Sequence, residues 1–208
     1  MMVRSYVITT DRGSAPNYES PFTTLAICKP RIRKKARKGE LIIGFNGRTL
    51  SPERNSVCWA GIVSEVLTFC EYWLDPRFDS KKPDQSQAPD NIYCDTPHGL
   101  VQIENSSHGS SNIDTDLSGL NVLIFSDVWH FGPNYVPLNS RFSKLYVGGT
   151  RRHEPENEIS KSEWHALRKW LTGQDTLADV KPDSEGRRCR VENKLRRASD
   201  RQGGRRHC

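Results

Sequence analysis

Residues 57–67, VCWAGIVSEVL, are apolar at both alternating sets of positions, with only Ser64 and Glu65 as interruptions. A strand that faces water on one side alternates apolar and polar residues, whereas a strand in the middle of a sheet is covered on both faces. This stretch therefore predicts a long central strand of a sheet or of a barrel wall.

Shorter β-branched and apolar runs on both sides of this stretch predict further strands. A polar, proline-containing segment at 79–96 interrupts them and is expected to be a long excursion over the surface. The predicted strands are SYVIT at 5–9, TTLAIC at 23–28 and ELIIGF at 40–45 before the central run, and LVQI at 100–103, VLIFS at 122–126 and KLYVGG at 144–149 after it.

Residues 28–45, CKPRIRKKARKGELIIGF, carry seven Lys or Arg side chains in the ten positions 29–38 and then turn apolar. Pro30 suits the first turn of a helix, Ile32 and Ala36 lie four apart on one face, and Gly39 suits the end. The pattern predicts a short helix that has one apolar seam and a cationic outer face.

Two more helices are predicted from capping boxes, in which Ser or Thr is followed three residues later by Glu. Thr68 and Glu71 begin the short segment TFCEYWLDPRF, which is expected to stop near Pro76, and Ser160 and Glu163 begin SKSEWHALRKWL. The second segment places Trp164, Leu167 and Leu171 on one face, so we expect the helix at 160–172 to pack on the sheet.

The 208 residues suit one domain with an extension. Residues 181–208 hold ten Lys or Arg and four Asp or Glu, and this surplus of six equals the net charge of +6 of the whole chain. Almost no apolar residues lie there, so burial could not offset the entropy of ordering the segment. We therefore expect a domain at 1–180 and a disordered basic tail at 181–208.

The amino terminus lacks a signal peptide, and no apolar run is long enough to span a bilayer, so we expect a cytoplasmic protein. The six cysteines form no CxxC pair. Reduced and mostly buried thiols are therefore expected, rather than a disulfide framework or a zinc site. No metal and no cofactor are predicted, and the oligomeric state is left open.

The order of strand, loop, strand, basic helix, Gly39-Glu40 and VxxWAGIVSEV strand resembles the PUA-like superfamily of small β-barrels, which includes the EVE, ASCH and YTH domains. In those families the turn before the central strand is usually Gly-Asp. The resemblance implies an α+β fold, a PUA-like small β-barrel with short peripheral helices. It also implies a cleft that can take up an extruded or modified base.

A closer resemblance is to the nucleotide modification associated domain, type two, over roughly residues 3–150. The segments that carry it are SYVITTDRGSAPN, TLAICKPRIRKKARKGELIIG, VSEVLTFCEYWLDPRF, DNIY, ENSSH and FSDVWHFG. The family is found beside predicted bacterial and phage genes for DNA modification. The resemblance implies a role in making, handling or recognising modified DNA bases, with DNA or a nucleotide as the partner.

If the apolar seam of the basic helix faces the domain, Arg31, Lys34, Lys35 and Lys38 project outward and can contact successive phosphates. The alternative is a helix face that is merely solvated. Aromatic and charged groups at 69–78 could stack a base and read its edge, although Phe69 and Trp73 are more simply the buried face of a helix.

Glu65 is an acid inside an apolar strand, so it must meet a cation such as Arg33 or line a polar cavity, where it could act as a general base. The segment 90–108 concentrates Asp90, Asn91, Tyr93, Glu104, Asn105, Ser107 and His108, which suit base contacts, an acid/base pair or plain loop hydrogen bonds. FSDVWHFG offers Asp127 and His130 at a strand end, where a turn is the simpler interpretation.

Asp114-Thr115-Asp116 matches the acidic pair with which some sugar transferases hold a metal, but the triplet is common by chance. The chain has no dinucleotide fingerprint, phosphate-binding loop, zinc deaminase signature or HExxH, which disfavours redox enzymes, nucleotide hydrolases and zinc hydrolases.

Three functions are consistent with these features. The first is a domain that binds nucleic acid or a nucleotide and recognises a base in its cleft. The second is an enzyme that modifies that base, with Glu65, His108 and Asp90 as candidate catalytic residues. The third is an interaction module that its basic tail recruits. The residues predicted to contact nucleic acid are Lys29, Arg31, Arg33, Lys34, Lys35, Lys38, Tyr72, Asp75, Arg77, Asn91, Tyr93, Asn105 and His130.

Overall fold

The computed structural model describes residues 1–51, 55–146 and 156–174. Its nine strands are β1 (Met2–Ile8), β2 (Thr23–Leu25), β3 (Leu41–Asn46), β4 (Ser56–Thr68), β5 (Tyr93–Thr96), β6 (Gly99–Gln102), β7 (Asn121–His130), β8 (Val136–Pro137) and β9 (Glu156–Glu158). The four α-helices are α1 (Pro30–Lys35), α2 (Phe69–Leu74), α3 (Ile113–Leu117) and α4 (Lys161–Thr172). Short 3₁₀ helices cover Pro76–Lys81, Ser110–Asn112 and Ser140–Leu145.

Seven strands form one mixed sheet in the order β2-β7-β4-β3-β1-β9, with β8 paired to the start of β4. Among the described strands, β1 and β3 alone pair in parallel, and β5 and β6 form a separate hairpin. The α+β class is thus confirmed. Within the described residues, however, the sheet stays open between β2 and β9, so the expected closed barrel is not found and the PUA-like relationship stays a prediction.

The central strand is where the sequence predicts it. One face of β4 buries Val57 and Ala60 against α4, and the other buries Cys58, Trp59 and Val63 against β1, β2 and α1. The capping boxes of α2 and α4 are present with the predicted partners. The apolar seam of α1 is confirmed as well, because Ile32 and Ala36 are both buried.

Two predictions about elements are wrong. The 79–96 segment is not a surface excursion throughout, because Lys81, Asp90 and Tyr93 are buried and β5 begins at Tyr93. The predicted strand at 144–149 begins inside the 3₁₀ helix Ser140–Leu145, and its residues 147–149 lie outside the described residues. The predicted tail at 181–208 lies outside them too. None of the helices in the described ranges has the length and apolar content needed to cross a membrane.

Candidate functional site

Cys28 lies on a sharp turn that joins strand β2 to helix α1. Both Cys28 and Lys29 have left-handed backbone conformations, with φ of 57° and 43°. Residues other than glycine rarely adopt this conformation, and strained backbone of this kind concentrates at functional sites. The turn presents the Cys28 side chain, which is half-buried, to the loop that precedes α3.

Three side chains from distant parts of the chain meet at this turn and form what we call the Cys28–His108–Asp116 triad. The Cys28 Sγ atom lies 3.2 Å from Nε2 of His108, and Nδ1 of the same ring lies 2.6 Å from Oδ2 of Asp116. The imidazole therefore touches a thiol with one nitrogen and a carboxylate with the other. This is the arrangement in which an oriented base serves a nucleophile.

Asp116 is fully buried, and three groups satisfy its carboxylate. Besides His108, the backbone N–H of Cys28 donates to Oδ1 over 2.8 Å and the Tyr93 hydroxyl donates to Oδ2 over 3.0 Å. Asp116 therefore holds the backbone of Cys28 and the ring of His108 at the same time. The loop that carries His108 is fixed by Asn105, whose Oδ1 accepts from the backbone N–H groups of Ser107 and His108.

The surroundings of His108 favour its protonated form. Burial lowers the pKa of the imidazole, but the hydrogen bonds to Asp116 and Cys28 outweigh burial and raise the pKa to about 10. An imidazolium beside Cys28 is the partner that stabilises a thiolate, which is the reactive form of cysteine.

Arg33 holds the backbone of two triad residues in place. Its guanidinium is buried, its Nε donates to the carbonyl oxygen of Cys28 over 2.7 Å, and Nη2 donates to the carbonyl oxygen of Asp116. Nη1 donates to the carbonyl oxygens of Gly119 and Asn121. Burial lowers the pKa of Arg33 to about 10. The expectation that Arg33 contacts phosphates is therefore corrected, since its donors face protein carbonyls.

A cavity of about 320 Å³ opens beside Cys28 and His108. The end of β1 and the loop after it form its other wall, which includes Tyr6, Thr10 and Arg12. Such a volume is at the small end of the range for ligand sites. Lys29 lines the cavity as well, with its ammonium donating to the carbonyl oxygen of Val7 over 3.0 Å and lying 4.9 Å from the centroid of the Tyr6 ring.

The outer face of α1 and the turn after it is strongly basic. Arg31, Lys34 and Lys38 are exposed there, and we call these three residues the cationic ridge. Lys35 is exposed too, but its ammonium lies 2.7 Å from a carboxylate oxygen of Glu156. Arg31, the first residue of the ridge, follows Cys28 by three positions in the chain.

Glu65 meets a cation, but that cation is Arg77 and not Arg33. The register of β4 shifts between Val63 and Glu65, which turns the carboxylate out of the core. It accepts two hydrogen bonds from the Arg77 guanidinium at 2.8 and 2.9 Å, which hold the pKa of Glu65 below its usual value. Asp75 joins the same guanidinium at 2.7 Å. These three predicted site residues form a surface ion-pair network that does not line the cavity.

Tyr72, Asp90 and Asn91 are buried in a second polar network. The hydroxyls of Tyr72 and Thr24 donate to the Asp90 carboxylate over 2.8 and 2.6 Å, and burial raises the pKa of that carboxyl. The Asn91 amide donates to the backbone carbonyl of Tyr72. Their burial and mutual hydrogen bonds give these residues a structural role, so the predictions of catalysis by Asp90 and of base contacts by Tyr72 and Asn91 are not supported.

His130 stacks on Tyr18 with ring centroids 3.6 Å apart, and burial lowers its pKa to about 4. It does not line the cavity. Of the residues predicted as contacts or catalysts, Lys29 and His108 line the cavity. Tyr93 and Asn105 lie behind it and hold Asp116 and the His108 loop.

Sequence reasoning misses the two partners of His108. The sequence presents Cys28 only as one of six cysteines expected to be reduced and mostly buried, and it presents Asp116 only as part of an acidic pair for a metal. No short spacing links residues 28, 108 and 116, so only the position of Cys28 between a strand and a basic helix could have drawn attention to it. Within the described ranges, no group of three or more His, Cys, Asp or Glu side chains is arranged to hold a metal ion.

Comparison with protein families gives one result that bears on this site. The family model described as nucleotide modification associated domain 2 matches residues 1–184, which include the whole triad, the cavity and the cationic ridge. No match was found among curated proteins or among solved structures.

Proposed function

The chain belongs to the nucleotide modification associated domain 2 family, and from this premise we propose that it is an enzyme that acts on a nucleotide or nucleic acid with Cys28 as its nucleophile. The family's name connects it with nucleotide modification. The observation that carries the proposal is the pair of contacts made by His108, which joins a thiol at the mouth of a cavity to a buried carboxylate.

In the proposed mechanism, each member of the triad has one task. Cys28 attacks the substrate as a thiolate, because its proton rests on Nε2 of His108. Asp116 fixes the ring so that this nitrogen faces the sulfur, and it stabilises the imidazolium. Arg33 holds the backbone at both ends of the triad and is a positioning residue.

The same proposal places the nucleotide. Its base or sugar enters the cavity beside Cys28, and the phosphates on either side lie along the cationic ridge of Arg31, Lys34 and Lys38. The predicted basic tail at 181–208 would add electrostatic attraction to the polymer without discriminating between bases.

The test is protection of Cys28 from alkylation. The full-length protein is treated with iodoacetamide with and without deoxynucleoside monophosphates or a single-stranded oligodeoxynucleotide, and the label on each cysteine is followed by peptide mass spectrometry. We expect nucleotides to slow labelling of Cys28 severalfold and to leave Cys94, which lies on the β5–β6 hairpin, unchanged. Equal labelling of Cys28 with and without both ligands would contradict the proposal.

A binding domain without catalysis is the second candidate, and the cationic ridge is the observation that favours it. Removal of the thiol separates the two functions. Whether the protein is an enzyme or only a binding domain, a Cys28→Ala variant should bind an oligonucleotide as the wild type does. Only in the enzyme should the substitution abolish conversion of a nucleotide that the wild type converts.

A further inference from the structure

We infer that the reaction at Cys28 is acyl transfer through a thioester, so that the substrate class is a carbonyl compound such as an amide, ester or thioester. The acyl group would be placed on, or removed from, an amino or hydroxyl group of a nucleotide. The inference rests on the proposed function for the identity of that nucleotide, whereas the thioester chemistry rests on the triad alone.

The geometry of His108 suits acyl transfer better than alkyl transfer to sulfur. Its Nε2 lies 3.2 Å from the sulfur, which is within reach of both the attacking and the leaving atom at a carbonyl bound to that sulfur. Acyl transfer needs a proton to be given and then taken at this place. Alkyl transfer to sulfur requires no second proton transfer. An imidazole that Asp116 holds in place, ready to donate and then accept a proton, would therefore be used only once in that reaction.

A donor for the developing oxyanion lies next to the base. Ser107 lines the same cavity as Cys28 and His108, and its hydroxyl oxygen is buried with no hydrogen-bond partner within the described part of the chain. A buried hydroxyl without a partner is costly in a structural role. It is suited to donate to an oxyanion that exists only during the reaction. The Cys28 N–H is not available for this, since it donates to Asp116.

The two half-reactions balance. In the first, the Cys28 thiolate attacks the carbonyl carbon, the sulfur–carbon bond forms, the bond from carbon to the leaving amine, alcohol or thiol breaks, and the His108 proton passes to that leaving group. In the second, an acceptor amine, hydroxyl or water gives a proton to His108 and attacks the thioester. The sulfur–carbon bond breaks, and the thiolate and imidazolium return. No electron donor or acceptor is needed.

The test uses p-nitrophenyl acetate, which is small enough for the cavity and reports acylation by colour. We expect a burst of nitrophenolate and an acetyl group on the Cys28 peptide that hydroxylamine removes. His108→Ala should slow acetylation of Cys28 about 100-fold. The matched controls Cys70→Ala and Cys94→Ala, which remove half-buried thiols outside the cavity, should leave the burst unchanged.

Ser107→Ala sharpens the test, because alkylation by iodoacetamide forms no oxyanion and acetylation does. We expect this variant to slow acetylation of Cys28 about 100-fold while its alkylation stays as in the wild type. If Cys28 is alkylated in a His108-dependent manner but is not acetylated, or if Ser107→Ala slows both reactions equally, the acyl-transfer inference is overturned and the proposed nucleophile stands. Acetylation of Cys28 that no nucleotide slows would instead count against the proposed nucleotide substrate.

Discussion

The Nε atom of Arg33 lies 2.7 Å from the carbonyl oxygen of Cys28, and the same guanidinium also donates to the carbonyl oxygen of Asp116. One buried cation thus holds the backbone of both Cys28 and Asp116, which are 88 residues apart in the chain. The side chains of this basic segment therefore have two different environments. One arginine points inward and organises the site, and its exposed neighbours remain available to a ligand.

Arg33→Lys should disturb the triad and the fold together. An ammonium cannot reproduce the fork of donors, so buried carbonyls lose their partners and the free energy of unfolding should fall by about 3 kcal/mol. Displacement of Cys28 should slow its alkylation by about 10- to 100-fold, measured where circular dichroism shows the variant to be folded. The control is Arg37→Lys, on an exposed side chain nearby; an equal effect of the two substitutions would contradict a positioning role for Arg33.

Asp116→Asn should lower the pKa of His108 from about 10 toward its ordinary value of 6.5, because the carboxylate that stabilises the imidazolium is removed. Since the pKa is raised in the folded state, the stability that His108 contributes is fully present below pH 6.5 and is lost as the pH rises through about 10. The titration is measured by NMR of labelled histidine. Asp114→Asn, on the exposed face of the same helix, should leave it unchanged, and an unchanged titration in Asp116→Asn would refute the contact.

His130 should make the fold sensitive to acid. Burial against Tyr18 lowers its pKa to about 4, so its contribution to stability is present above pH 6.5 and is lost as the pH falls through about 4. His130→Phe keeps an aromatic ring on Tyr18 without a titrating group. Denaturant unfolding between pH 7 and 4 should therefore show a smaller loss of stability in this variant than in the wild type or in the exposed control His98→Gln. Equal losses in all three proteins would show that His130 is not the acid-sensitive group.

The cationic ridge should carry the electrostatic part of nucleic-acid binding. Lys34→Gln with Lys38→Gln should weaken binding of a single-stranded oligonucleotide. The slope of log affinity against log salt should fall by about 1.4, because each phosphate that is no longer neutralised accounts for about 0.7. Fluorescence anisotropy over a salt series measures both. The control pair, Lys161→Gln with Lys169→Gln, removes the same charge from α4. If both pairs act alike, the ridge is not the binding surface.

The sheet and the helices could be predicted from the sequence because their signals are local. The double-faced apolar pattern of 57–67 marks β4, and the serine and threonine caps mark the starts of α4 and α2. The position of Glu65 could not be predicted by alternation. A register shift in β4 changes which face the residue occupies, and this depends on pairing with β7.

The triad is beyond sequence reasoning for a different reason. The sequence singles out His108, but the partners of this residue are set by the packing of α3 and the loop before it against the turn after β2, which are long-range contacts. The same packing buries Arg33, although its neighbours at 31 and 34 are exposed as expected. The apolar seam of α1 consists of only two residues, Ile32 and Ala36. The sequence of the basic segment therefore does not indicate which Lys or Arg side chain is buried.

The most direct measurement of the central claim, that His108 activates Cys28 as a nucleophile, is the rate of alkylation of each cysteine by iodoacetamide at neutral pH. In the wild type, Cys28 should react at least about tenfold faster than Cys70 and Cys94, because thiolate character governs the rate. In His108→Ala, its rate should fall to that of the other two. If Cys28 reacts no faster than they do, or is equally fast without His108, the contact between sulfur and imidazole does not make a nucleophile.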